Sequence, residues 1–287
     1  MNRNNLKTAI LLSLFGALCL GIGAFFGDAG LIIGLVIGLL FVGGSYWFSD
    51  SIAIKAARAV PVSEAQMPQY YQIVRELTTK AHLRMPRLYV SPAQQPNAFA
   101  TGRNPKHAAV CVTAGILQIC SWSELRGVLA HEISHVRNHD ILTSSVAASI
   151  AMGITFIARL FAYTALFFPG AGGGRRDENI FGLLAMMIFA PLAATLLQLA
   201  LSRSREYEAD REGARLIGDG EPLASALQKL QMASARVPMR VPRAMAALFI
   251  VNPLSGRRVS FAKWFSDHPP TPDRIARLRS RQWAHNF

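Results

Sequence analysis

Residues 121–139 read SWSELRGVLAHEISHVRNH, and the reading of this stretch decides the architecture around it. Ser121 followed three positions later by Glu124 has the form of a capping box, in which each side chain satisfies the other's backbone N–H. Trp122, Leu125, Val128, Leu129 and Ile133 then recur at helical spacing, so a helix is expected to open near Trp122. Within it His131 and His135 stand four apart and share one face. Two imidazoles so placed can hold a single metal ion, while Glu132 next door reaches a water on that metal.

The pattern is HExxH, the zincin signature. Three fixed positions in five recur by chance, and the bland reading is a polar helix with solvated histidines, so the pattern needs its setting. A catalytic site of this kind requires a third protein ligand and an open position. The metzincin solution is excluded, because it would place Gly at Asn138 and His at Ile141. His139 does not replace it, since eight residues from His131 amount to about 80° of helical drift. The gluzincin solution is a glutamate on a second helix, and SRSREYEAD at 202–210 offers one. Glu206 and Asp210 are four apart, so a ligand and a carboxylate orienting a ligand histidine can share a face. Glu208 points about 200° away from Glu206 by helical period, and Glu212 has no acidic residue four positions on, so Glu206 is preferred over both.

Composition supplies the surroundings. Of 287 residues, 51% are hydrophobic and 16% charged, against a globular norm of about 25% charged. Charge is missing from four long runs. Ala9–Phe26 and Ala29–Phe48 carry none and are separated by Gly27 and Asp28 alone, which predicts a membrane hairpin at residues 1–48 retained as an anchor. Leu142–Phe168, interrupted by Arg159, and Phe181–Leu201, with Pro191 near its middle, predict a second hairpin over 142–201 that crosses or dips into the bilayer. The stretches 49–141 and 202–287 then form the two parts of one soluble domain, carrying the HExxH helix and the ExxxD helix.

The charge distribution gives the side. Ser49–Ile141 holds 10 basic and 6 acidic residues and 202–287 holds 15 and 8, whereas the connector after the third run is neutral. The positive-inside rule places both stretches in the cytoplasm. Only a return to one side lets His131, His135 and Glu206 share a metal, so the ligand set demands the same topology, with the metal near the membrane surface. The net charge of +13 is spread without a Lys/Arg block or nucleic-acid motif, so an anionic lipid surface is the expected partner and nucleic acid is not. Cys19, Cys111 and Cys120 show no CxxC spacing, which excludes a disulfide framework and a cysteine-held zinc.

Arg87–Ser91 and Ala108–Thr113 read as strands, with AQQPNAFATGRNPK between them. Proteases commonly hold extended substrate on an exposed edge strand, and Asn97, Ala98, Phe99 and Ala100, with Thr101, are the candidate edge. The overall expectation is a mainly α protein with a small β-sheet, about four transmembrane helices and a cytoplasmic gluzincin-type domain.

HEISH between two pairs of apolar runs, SRSREYEAD after the fourth, and the segments MPRLYV, NAFATG and HPPTPDRIARL together resemble the HtpX family of membrane-bound zinc metalloproteases, relatives of the CAAX prenyl proteases. The resemblance implies one zinc per chain held by His131, His135 and Glu206, with Glu132 catalytic. It also implies membrane-protein or unfolded polypeptide substrates in quality control at the bacterial inner membrane, and cooperation with other membrane proteases. Peptide-bond hydrolysis needs a group to stabilise the oxyanion, and His268 in SDHPPTPDR is the candidate, though an HPP turn also suits capping or packing. The competing readings are a non-proteolytic membrane adaptor with a structural or degenerate metal site, and a CAAX-type prenyl protease. A structural zinc has four protein ligands and no adjacent glutamate. Four apolar runs are too few for a large intramembrane chamber.

Overall fold

The helix that opens at Trp122 is the spine on which the rest of the domain is assembled, and each element around it buries a face that its sequence pattern marks as apolar. The computed structural model describes residues 3–24, 27–147, 150, 203–236, 269–281 and 283–284. In chain order these hold α1 (Arg3–Ala24), α2 (Gly27–Trp47), α3 (Ser49–Ala56), β1 (Val60–Pro61), α4 (Pro68–Lys80), β2 (Arg87–Ser91), β3 (Ala98–Thr101), a 3-10 turn (Pro105–His107), β4 (Ala109–Thr113), α5 (Ala114–Ile119) and α6 (Trp122–Arg137). Residues 140–147 are helical, and the chain continues with α7 (Arg203–Ile217), α8 (Glu221–Arg236) and α9 (Thr271–Arg279). The architecture is mainly helical with a small mixed sheet.

The sheet runs in the order β1-β2-β4-β3, with β2 and β4 parallel and both outer pairings antiparallel. The strands read from sequence at Arg87–Ser91 and Ala108–Thr113 are thus β2 and, from Ala109, β4. Alternation divides their side chains between two faces. Leu88, Ala98, Ala100, Val110 and Val112 join the main core with Tyr70, Val74 and Leu77 of α4 and Leu125, Val128, Leu129 and Ile133 of α6. Phe99, Ala109 and Cys111 turn the other way, against Ala53 and Ile54 of α3. Ala214 of α7 and Leu223, Ala224, Leu227 and Leu230 of α8 close the same main core, so residues on both sides of the undescribed segment build one hydrophobic unit.

The expected capping box is formed: Ser121 Oγ accepts from Glu124 N–H at 3.2 Å and Glu124 Oε2 accepts from Ser121 N–H at 2.7 Å. Glu124 also accepts from Lys229 Nζ at 2.7 Å and Ser225 Oγ at 2.6 Å, which ties the start of α6 to α8. Burial pushes the Glu124 carboxyl up, but these hydrogen bonds outweigh it and hold the pKa at about 2. Since the unfolded value is about 4.3, the contribution to stability is present above that pH and lost as pH falls through the folded value. Glu124→Gln is therefore expected to cost roughly 1–3 kcal/mol near neutral pH. In urea unfolding, its difference from wild type should shrink as pH is lowered from 6 towards 2; a difference independent of pH would refute the assignment.

α1 and α2 pack against each other as a helical hairpin, with Leu11 and Phe15 buried and the Phe15 and Phe41 rings 4.7 Å apart. Thr8 Oγ1 meets Thr143 Oγ1 at 2.9 Å, joining α1 to the 140–147 helix. Among the described residues no helix is long and apolar enough to cross a membrane; α2 spans 21 residues with Asp28 as its sole charge, a length of about 30 Å. Arg159, Pro191, residues 148–149 and 151–168 of the third apolar run and all of the fourth lie outside the described residues.

Candidate metal centre

α6 places His131 and His135 one turn apart, and α7 crosses it so that Glu206 faces both. The buried residues of α7 are Glu206, Ala209, Asp210, Gly213 and Ala214, a single stripe at helical spacing turned onto α6. His131 Nε2 and His135 Nε2 stand 3.2 Å apart. Glu206 Oε2 is 3.7 Å from His131 Nε2, and its Oε1 is 3.5 Å from His135 Nε2. Ligand atoms about 2.0–2.1 Å from a tetrahedral zinc stand about 3.3 Å apart, so the three groups converge as a metal's ligands do. All lie within 4.8 Å of one another. The other acidic candidates point elsewhere: Glu208 pairs with Arg211, and Glu212 accepts from Asn138 Nδ2 at 2.8 Å.

Each histidine has a carboxylate behind it. Asp210 Oδ1 is 2.9 Å from His131 Nδ1, at a direction short of a well-formed hydrogen bond, and Asp140 Oδ2 is 2.9 Å from His135 Nδ1. Such partners fix which ring nitrogen is free to ligate. Asp210 was legible as the fourth residue after Glu206. Asp140 was not, because it lies past the end of α6, where Asn138 and His139 form a turn and His139 takes φ 60°. A polar pair directly after a helix that ends in HExxH is the signal that could have found it. His139 itself is exposed, with Nδ1 against Arg137 O at 3.1 Å, and stays off the cluster.

The electrostatics also ask for a cation. Glu132, Asp140, Glu206 and Asp210 are buried together. They are faced by Arg274, bonded to Asp210, and Arg205, 3.5 Å from Asp140, so carboxylates outnumber guanidiniums among these groups. Burial opposes charging of His135, but hydrogen bonds to Asp140 and Glu206 outweigh it and push its pKa up to about 10. Burial likewise opposes ionisation of Asp210, yet Arg274 and His131 hold its carboxyl below the usual range. A divalent ion between the three ligand atoms would balance this charge. The donor set and spacing fit one.

Glu132 completes the site from the sheet side. It is buried, its Oε2 accepts from Ala100 N–H at 2.8 Å, and burial raises its pKa against the opposing pull of His131 and His135. β3 is an edge strand in the sheet, as expected for Asn97–Thr101, but its side chains are all buried. α6 and α3 cover its two faces, so only its outer backbone edge can serve a ligand. Asn97 O accepts from Thr113 N–H, so by alternation the backbone groups of Ala98 and Ala100 point off that edge. His268 lies outside the described residues.

A helix bearing HExxH, crossed by a second helix that adds a glutamate, over an edge strand that touches the HExxH glutamate, is the arrangement of a metallopeptidase. The chain belongs to peptidase family M48, whose profile matches residues 64–282. It is 51% identical over 280 residues to a Protease HtpX homolog of Syntrophobacter fumaroxidans, covering 96% of this chain and 98% of the relative. A Protease HtpX homolog of Bifidobacterium longum is 48% identical, with 96% and 91% covered, and one of Kineococcus radiotolerans is 50% identical, with 97% of each covered. Among solved structures, the crystal structure of S. mikatae Ste24p aligns with a TM-score of 0.48 at 20% identity, over 96% of this chain and 63% of that one. The protein is a metallopeptidase.

Proposed function

We propose that the chain is a zinc endopeptidase of the bacterial inner membrane that cleaves membrane proteins and unfolded polypeptides on the cytoplasmic side, in protein quality control. The observation that carries the reading is the convergence of His131, His135 and Glu206 within 4.8 Å, with Glu132 adjacent on the same helix. Zinc held by those three residues would polarise the scissile carbonyl and make water acidic enough to attack it. Glu132 takes the proton from that water and passes it to the leaving amine. Its raised pKa suits both halves of that transfer, and the Ala100 N–H holds its carboxylate still. Asp140 and Asp210 keep the Nε2 atoms of His135 and His131 turned inward. An extended substrate would lie along the outer edge of β3, where Ala98 presents backbone groups. His268 remains the candidate oxyanion donor.

Membrane attachment is supported by the outer surface of the hairpin. Ile32, Leu39 and Leu40 of α2 are 61%, 64% and 72% exposed, with Leu31, Ile33 and Val36 beside them. A contiguous apolar band of this kind suits acyl chains rather than water. Tyr46 and Trp47 close α2, and the Arg103 guanidinium lies 4.8 Å over the Trp47 ring, an aromatic and cationic pair of the type found at headgroup depth. The basic excess of both hydrophilic stretches favours the cytoplasmic, anionic leaflet, and cooperation with other membrane proteases is consistent with that location.

The test uses the full chain purified in detergent. Zinc analysis should find about one ion per chain, 1,10-phenanthroline should abolish casein cleavage, and zinc returned in slight excess should restore it. Cleavage untouched by chelation, or no zinc after reconstitution, would refute the reading. Carbonate extraction should leave the chain in the membrane fraction, and its release would remove the membrane part alone.

A further inference from the structure

Arg274 is 1% exposed and is the largest fully buried side chain among the described residues, yet it lies on the short C-terminal helix α9, 64 residues beyond the carboxylate it meets. Its Nε donates to Asp210 Oδ2 at 2.8 Å and its Nη2 to Asp210 Oδ1 at 2.7 Å, a two-pronged contact that fixes both the position and the plane of the carboxylate. The same Asp210 Oδ1 stands 2.9 Å from His131 Nδ1, and Arg274 Nη1 is 3.7 Å from Glu206 Oε2. One guanidinium thus faces the carboxylate behind one ligand histidine and the third ligand itself. A buried arginine is costly unless its partners are held for it, and here those partners are two of the groups that shape the centre.

Resting on the reading of this site as a zinc centre, we infer that Arg274 is a positioning residue of the ligand assembly: it locks Asp210 beneath His131, and α9 is thereby a working part of the metal site rather than a trailing helix. The alternative is that Arg274 merely fastens α9 to α7. α9 and the residues after it have other fastenings: Leu278 is buried in the main core, Arg279 pairs with Glu221 at 2.8 Å, and Trp283 O accepts from Arg215 Nε of α7. These bear on the stability of α9 without touching the cluster, so they provide the control.

The experiment measures zinc affinity of the full chain in detergent by competition with a chromophoric chelator, alongside thermal melts of the zinc-free forms. Arg274→Gln should loosen zinc 10–100-fold, the range for partners behind metal ligands. Arg274→Lys should fall between it and wild type, because a point charge cannot engage both carboxylate oxygens. Asp210→Asn should loosen zinc similarly, and adding Arg274→Gln to it should change little more, since both act through one chain of contacts. Arg279→Gln should leave zinc affinity as in wild type. If Arg274→Gln does not fold, Arg274→Lys and the Asp210→Asn pairing with it carry the test. Zinc affinity within twofold of wild type in folded Arg274 variants, or an equal loss in Arg279→Gln, would overturn the inference while leaving a zinc-binding, casein-cleaving wild type and its reading intact. A wild type that binds no zinc would overturn that reading and this inference together.

Discussion

Glu132→Gln is expected to lower casein turnover by about 10²–10⁴-fold, the share general-base catalysis ordinarily contributes, with zinc still bound at one per chain. The substitution keeps the volume of a buried side chain, and the amide oxygen can still accept the Ala100 N–H that now meets Glu132 Oε2 at 2.8 Å. What disappears is the basic oxygen. The loss should therefore fall on kcat, with KM little changed, as for a group that acts in the transition state rather than in binding. Melting of the zinc-loaded form should move little, because the amide side chain would carry no buried charge. Turnover within tenfold of wild type at full zinc occupancy would remove Glu132 from the role of base. Loss of zinc together with turnover would recast it as part of the ligand assembly.

The convergence of His131, His135 and Glu206 was readable from sequence because the local period does most of the work. Four residues apart on a capped helix can only mean one face, so His131, His135 and the start at Trp122 followed from spacing, and the cap was formed by the two residues that announced it. The choice of Glu206 over Glu208 and Glu212 also followed from period, since α7 buries one stripe and Glu206 and Asp210 both lie on it. Asp140 and Arg274 were not readable for a different reason. Their positions depend on where the chain goes after a helix stops: His139 adopts φ 60° and returns Asp140 to His135, and α9 docks so that Arg274 reaches Asp210. In sequence, Arg274 is one arginine among four in RIARLRSR, and nothing in that stretch singles it out. The edge strand fell between these cases. Its place in the sheet followed from its position between two readable strands, but its coverage by α3 and α6 is tertiary, and with it the capture of Ala100 N–H by Glu132.

The second large effect concerns the crossings that bring α6 to its partners, and it should separate stability from metal binding. At Gly127 a Cβ would lie 2.5 Å from Leu223 N and 2.8 Å from Pro222 C, both backbone atoms of α8. No rotamer relieves such a contact, so α8 must move off α6. Gly127→Ala gains up to about 1 kcal/mol in helix propensity, but overpacking against backbone in a dense core outweighs this. A net loss of about 2–4 kcal/mol is expected in urea unfolding of the zinc-free protein. At Gly213 a Cβ would lie 2.9 Å from His131 N and 3.1 Å from Ala130 C, at the crossing of α7 over the ligand helix. The same displacement there moves Glu206 and Asp210 away from His131. Gly213→Ala should therefore lose about 1–3 kcal/mol of zinc-free stability and also bind zinc at least tenfold more weakly, whereas folded Gly127→Ala should bind it nearly as wild type. Equal zinc affinity in the two variants would mean that the α6–α7 crossing does not set the spacing of the cluster. An unchanged urea midpoint in Gly127→Ala would mean that α8 does not approach α6 as closely as the buried Leu223 contact requires.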